Sequence, residues 1–162
     1  MGQMIKVGMA DLKACKAPDN LTTIGLGSCI GIAIHDPLTK ITGLAHIMLP
    51  DSTAMKNISN VAKFADSGIP ELYNKMIALG AKKTKMWAKI AGGAKMFGMT
   101  GSISSAINVG ERNAEASILA LKKLGIPVIA QDTGLNYGRT VEIYSETGDY
   151  LIKSVGKPTK TL

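Results

Sequence analysis

Two apolar, β-branched runs, residues 29–36 and 41–49, stand on either side of Pro37-Leu38-Thr39-Lys40. Runs of this length flanking a short turn-forming stretch read as a β-hairpin. The hairpin constrains the chain more than any other feature, because side chains alternate between the two faces of a strand. Its pairing register therefore decides which side chains share a face. If Asp36 pairs with Ile41, His46 stands opposite Gly31 and Cys29 is its diagonal neighbour on the same face. If the loop is only Pro37-Leu38, His46 stands directly opposite Cys29. Direct partners have Cβ atoms about 5 Å apart and diagonal partners about 7 Å, within reach of long side chains. A slip of one residue puts Cys29 and His46 on different faces.

Cys29 lies in Thr22-Thr23-Ile24-Gly25-Leu26-Gly27-Ser28-Cys29-Ile30-Gly31, and His46 in Gly43-Leu44-Ala45-His46-Ile47-Met48-Leu49-Pro50. Glycine adds nothing to a core and costs backbone entropy in a strand, but it lets another backbone or a substrate come close. A thiol in that setting, with an imidazole beside it, suits nucleophilic acyl transfer. The thiol is mostly protonated at neutral pH and needs a base, and imidazole titrates in the right range. Backbone N–H groups around Gly27-Ser28-Cys29 can hold the oxyanion that forms on attack. Gly31 leaves space above the sheet beside His46, and Thr23 sits on the adjoining extended segment. Its hydroxyl or carbonyl can accept the second imidazole N–H and fix the tautomer, as the third member of a triad does. With His46 as base, activity should rise across about pH 5 to 8 as the imidazole loses its proton. An unpaired cysteine can equally be a small buried hydrophobe, and a lone histidine in an apolar strand a satisfied core residue.

Neighbouring motifs are excluded by context. Gly27-Ser28-Cys29-Ile30-Gly31 has the spacing of a nucleophile elbow, but an elbow leads from strand into helix, and here a strand and Asp36-Pro37 follow. A dinucleotide fingerprint from Gly25 and Gly27 needs glycine where Ile30 stands. Asp51 and Asp66 have no partner motif and read as a solvated carboxylate pair. Two cysteines, Cys15 and Cys29, and two histidines, His35 and His46, give neither a disulfide scaffold nor a zinc pattern, so no metal and no cofactor is expected.

The remainder reads as one α+β domain spanning 1–162, a layered sandwich of mostly antiparallel sheets and two main helices. A first strand is expected over 4–9, a turn at Pro18-Asp19-Asn20 and an extended piece over 21–26. A helix over 61–79 should end at Gly80, with Pro70 kinking it or lying in its first turn. A strand over 84–91, ended by Gly92-Gly93, precedes a Gly-, Ser- and Met-rich loop over 94–109. A second helix over 110–124, buried along Ala114, Ile118 and Leu121, should stop at Gly125 and Pro127. Closing strands are expected over 127–132, 139–145 and 149–154, the last two joined by a turn at Glu146-Thr147-Gly148-Asp149.

Hydrophobic residues make up 46% of the 162 and the net charge is +7. No apolar run is long enough to span a bilayer and the start lacks a secretory h-region, so cytoplasmic placement without membrane insertion is expected. Only two positive residues, Arg112 and Arg139, are arginines, and with 4% aromatics the chain offers no nucleic-acid platform.

At these residues the sequence resembles the CheD family, the chemoreceptor glutamine deamidases of bacterial and archaeal chemotaxis. The likeness runs through Thr23–Cys29, Asp36-Pro37, Gly43–Ser52 and Lys63-Phe64-Ala65-Asp66. It continues through Lys89–Phe97, Gly110-Glu111-Arg112-Asn113 and Asp132–Arg139. Leu135 stands where the family commonly has a second glycine. The resemblance implies a hydrolase that converts selected receptor glutamines to glutamate and ammonia through a cysteine thioester. Cys29 would be the nucleophile, His46 the base and Thr23 the third member. It implies a fold similar to the catalytic domains of deamidating toxins. It also implies binding to CheC, a phosphatase of the response regulator CheY; Met96 and Phe97, which end an apolar strand at a loop, are docking candidates by their position. Two other readings use the same residues: an adaptor of receptors and CheC with little catalysis, and a cysteine peptidase or transamidase.

Overall fold

The structure is a computed structural model that describes residues 2–53, 59–96 and 109–162. Ten strands form two five-stranded sheets. In the first, β1 (Met4–Lys6), β3 (Asn20–Leu26), β8 (Arg139–Tyr144), β9 (Tyr150–Lys153) and β10 (Lys160–Thr161) lie side by side in that order. In the second the order is β2 (Asp11–Lys16), β5 (Ile41–Ile47), β4 (Ile30–Asp36), β6 (Trp87–Gly92) and β7 (Val128–Thr133). The pairs β1–β3 and β6–β7 are parallel and all the others antiparallel. Helices α1 (Ala65–Leu79) and α2 (Val109–Lys123) complete an α+β architecture of two mixed sheets.

The hairpin is the centre of this stack. Every residue of β4 and β5 is buried, because the second sheet is covered on both faces. Ile30, Ile32 and Ile34 of β4 point to the helices, where they meet Ile69, Leu72 and Met76 of α1 and Leu121 of α2. Cys29 and Ala33 point the other way, into a second core with Leu21, Leu26, Val141, Ile143 and Tyr150 of the first sheet. The alternation separates the two cores completely along this strand.

The register is the first of the two expected: Asp36 pairs with Ile41 and Gly31 with His46. The turn explains it. The Asp36 carboxylate accepts hydrogen bonds from the Leu38 N–H at 2.8 Å, the Thr39 hydroxyl at 2.8 Å and the Lys82 N–H at 2.7 Å. The Asp36 carbonyl accepts from Lys40 N–H at 2.8 Å. Four residues are thus needed to turn, and a two-residue loop is excluded.

Several expectations need correction. The first strand stops at Lys6, and residues 11–16, not expected to be extended, form β2. That strand is an edge of its sheet and carries Asp11, Lys13 and Lys16, charges that suit an edge and hide the apolar pattern. The short β10 was also unexpected. Strand β6 begins at Trp87, after a 3₁₀ turn over Lys83–Lys85. Pro70 lies inside α1, beyond its first turn, so the Asp66 carbonyl has no helical N–H to receive. Gly80 ends α1 in the left-handed region, as expected. The buried residues of α2 are Gly110, Asn113, Ser117, Ala120 and Leu121, with Ala114 and Ile118 only partly buried. Leu135 adopts φ 61, a left-handed backbone conformation that glycine adopts more readily. Phe97 and residues 98–108 of the expected loop lie outside the described residues.

Burial pushes the Asp36 carboxyl upward, but the hydrogen bonds from Lys82, Thr39 and Leu38 together pull it below its ordinary 3.8. A depressed folded-state value means that this contribution to stability is present above the unfolded value. It is lost as pH falls through the folded value, below about 4. Asp36→Ala also strands the Leu38 and Lys82 N–H groups and the Thr39 hydroxyl, and should destabilise the fold by about 2–4 kcal/mol. Urea unfolding at neutral pH measures this, and the difference between wild type and variant should shrink in acid.

Candidate active site

Cys29 precedes β4, and three contacts hold its segment. Its carbonyl accepts from Gly93 N–H at 2.9 Å, the Gly27 carbonyl accepts from Ala94 N–H at 2.9 Å, and the Ser28 carbonyl accepts from the Asn113 side-chain amide at 2.9 Å. The chain after β6 can lie this close only because residue 92 is glycine: it has φ 112, and a Cβ there would collide with the Cys29 carbonyl. Buried Arg139 stiffens the same turn, donating to the Gly92 and Gly134 carbonyls at 3.3 and 3.1 Å and to the Asp132 carboxylate at 3.0 Å. Sequence reasoning gave Arg139 and Asn113 no role beyond the family likeness.

His46 reaches the face of Cys29 through the β4–β5 register and is fully buried. Its Nδ1 lies 2.7 Å from the Thr23 hydroxyl oxygen. The same oxygen lies 2.7 Å from the Val7 carbonyl, which can only accept. The single hydroxyl proton therefore goes to Val7, and Thr23 must accept from His46 Nδ1–H. Of the two possibilities open for Thr23, it is the side chain that makes the contact. This arrangement places the imidazole proton on Nδ1 and leaves Nε2 as a bare acceptor. Nε2 has no hydrogen-bond partner among the described residues. The contact crosses between the sheets, joining β5 to β3, and the end of β1 supplies its anchor.

The cleft over Gly31 expected beside His46 is filled. Tyr150 enters from the first sheet and donates to the Gly31 carbonyl at 2.8 Å. A Cβ on Gly31 would stand 2.8 Å from that hydroxyl. Glycine at 31 thus admits a tyrosine that braces the two sheets next to the imidazole. On the other side, the half-exposed Met96 side chain packs against Gly27.

Burial sets the electrostatics. It pushes the Cys29 thiol above its ordinary 9.0, against a smaller downward pull from the residue's own N–H. It holds His46 down at about 4. Both shifts favour a neutral thiol beside a neutral imidazole over a thiolate–imidazolium pair. Among possible oxyanion donors, the Gly27 N–H is taken by the Gly25 carbonyl at 3.1 Å. The N–H groups of Ser28 and Cys29 donate to no other described residue. Among the described residues, the site therefore offers a thiol, an imidazole with its acceptor nitrogen free, and the Cys29 N–H beside the sulfur.

The family described as CheD chemotactic sensory transduction matches residues 48–154. A protein of Lachnoclostridium phytofermentans is 57% identical over the full length of both chains. One of Caldanaerobacter subterraneus subsp. tengcongensis is 52% identical over 98% of this chain and 97% of its own. Each is called a probable chemoreceptor glutamine deamidase CheD. Among solved structures, the hypothetical protein YfiH of Bacillus licheniformis superposes with a TM-score of 0.50 at 14% identity. The match covers 83% of this chain and 60% of that one, and it speaks to the fold alone.

Nitrogen NMR of the His46 ring at neutral pH should find the proton on Nδ1 and Nε2 bare, with titration near 4. Thr23→Val removes the acceptor and should bring in the Nε2–H tautomer. A wild-type ring protonated on Nε2 would contradict the assignment.

Proposed function

The chain belongs to the CheD family, and from that membership we propose that it hydrolyses selected glutamine side-chain amides of chemoreceptor cytoplasmic domains to glutamate and ammonia. The observation that carries this reading is the hydrogen bond from His46 Nδ1 to Thr23, which points a bare Nε2 into the layer that holds Cys29.

The chemistry follows from the neutral pair. As the thiol approaches the glutamine carbonyl, its proton passes to His46 Nε2 and the sulfur attacks carbon. The carbonyl electrons move onto oxygen, and the N–H groups of Ser28 and Cys29 receive that charge. The imidazolium returns the proton to the amide nitrogen, the C–N bond breaks and ammonia leaves, with a thioester left on Cys29. His46 then deprotonates a water molecule, which attacks the thioester. The C–S bond breaks, the proton returns to sulfur, and glutamate is released. Thr23 holds the ring through both proton transfers and is not itself protonated or deprotonated. No hydrogen bond joins Cys29 to Nε2 in the resting site, an arrangement common before substrate binds.

Partners enter as part of the same proposal. Receptor cytoplasmic domains are the substrates and CheC is a binding partner. Half-exposed Met96, packed on Gly27 at the edge of the site, and Phe97 after it are the docking candidates. No helix among the described residues is long and apolar enough to cross a membrane, which accords with a cytoplasmic role at the receptor tails.

Burial of His46 changes the pH behaviour expected from its sequence. The base is already neutral above about 4, so the rise moves below pH 5. Deamidation should be flat from about pH 5.5 to 8 and fall as pH drops toward 4. Mass spectrometry of a panel of receptor cytoplasmic domains incubated with the protein should find glutamine-to-glutamate conversion with wild type. Cys29→Ala should abolish it while leaving thermal unfolding intact, and His46→Ala should lower it by more than about 100-fold. Conversion that survives in Cys29→Ala would overturn the reading.

A further inference from the structure

The polar residues that interrupt the apolar pattern of α2 bear on the reaction. Asn113 has no solvent exposure, and its amide nitrogen donates to two carbonyls, Ser28 and Met48, both at 2.9 Å. Two acceptors facing one amide require the nitrogen, not the oxygen, at that end. The carbonyl oxygen of Asn113 has no partner among the described residues, so the side chain is buried at some cost for the sake of its two donated bonds.

What those bonds hold is specific. The Ser28 carbonyl is one half of the Ser28–Cys29 peptide, and the Cys29 N–H is the other half. In a planar trans peptide the two point in opposite directions. Fixing the carbonyl toward α2 fixes the N–H away from it, and that N–H comes close enough to its own thiol to pull the thiol downward. The Met48 carbonyl lies two residues beyond His46 on the chain leaving β5. One side chain therefore ties the segment bearing the nucleophile to the strand bearing the base. The helix is itself seated at this point: a Cβ on Gly110 would collide with the Gly93 carbonyl, next to the N–H that binds the Cys29 carbonyl.

We propose that Asn113 is a positioning residue for acyl transfer: it orients the Ser28–Cys29 peptide so that the Cys29 N–H faces the developing oxyanion. This rests on Cys29 as an acyl-transfer nucleophile, but not on glutamine as the substrate. It predicts a split between two reactions of one thiol. Acylation by p-nitrophenyl acetate builds an oxyanion and needs the oriented N–H. Alkylation by iodoacetamide is a displacement at saturated carbon and does not.

The test compares both rates at Cys29 in wild type, Asn113→Leu, which keeps the branched shape and removes the donors, and Asn113→Ala. Acylation should fall about 100-fold in both variants, the scale of losing an oriented oxyanion donor, while alkylation changes less than about threefold. Equal losses in the two reactions would mean that Asn113 only maintains the site, and unchanged acylation would mean that it does not orient the peptide. Failure of both variants to fold would make the residue structural, and each of these three results overturns the proposal. Because the probe is a small ester, a protein that deamidates no receptor still gives a clear answer, so the two readings fail separately.

Discussion

Everything at the candidate site depends on the register of the β4–β5 hairpin, and that register depends on Asp36. Its carboxylate gathers N–H groups from Leu38 and Lys82 and the Thr39 hydroxyl, so the turn closes on four residues and Asp36 pairs with Ile41. Five pairs further along, Gly31 stands opposite His46, and the imidazole lies on the face of Cys29. A shift of one residue would send His46 toward the helices and put Ala45 and Ile47 in its layer. The turn at one end of the sheet thus determines the chemistry available at the other.

Burial then tunes what the register brings together. Thiol and imidazole both sit between two sheets, and removal from water disfavours their charged forms. The resting pair is neutral, which suits a thiol that should not react indiscriminately. Orientation takes the place of charge. The Val7 carbonyl accepts a hydrogen bond from the Thr23 hydroxyl, the Thr23 oxygen accepts from His46 Nδ1–H, and Nε2 is left bare. On the nucleophile's side, Gly93, Ala94 and Asn113 hold three successive carbonyls, from Gly27 to Cys29. His46 and Cys29 are each fixed through backbone carbonyls.

The hairpin was legible because turn chemistry and β-branched runs are local signals, and the helix ends at Gly80 and Gly125 were legible for the same reason. That Cys29 and His46 share a face followed from counting residues. What could not be read depends on contacts between elements. β2 is an edge strand whose charges break the apolar alternation. Asn113 and Ser117 look like the solvent side of a helix, yet both are buried: the Ser28 and Met48 carbonyls accept from the Asn113 amide, and the Ser117 hydroxyl donates back to the Asn113 backbone carbonyl. The space over Gly31 looked open because nothing in the sequence tells which side chain of the facing sheet will fill it, and Tyr150 does. Thr23 was identified as the third member, but the choice between its hydroxyl and its carbonyl needed the distance to Val7.

The central claim is that this site transfers an acyl group through Cys29 with His46 as base. Acid-quenched intact-protein mass spectrometry during turnover of a receptor cytoplasmic domain tests it most directly. A covalent thioester adduct should form on Cys29 and not on Cys15, disappear on longer incubation, and be absent from Cys29→Ala. Continued glutamine-to-glutamate conversion by Cys29→Ala, or an adduct on Cys15 in its place, would contradict the account.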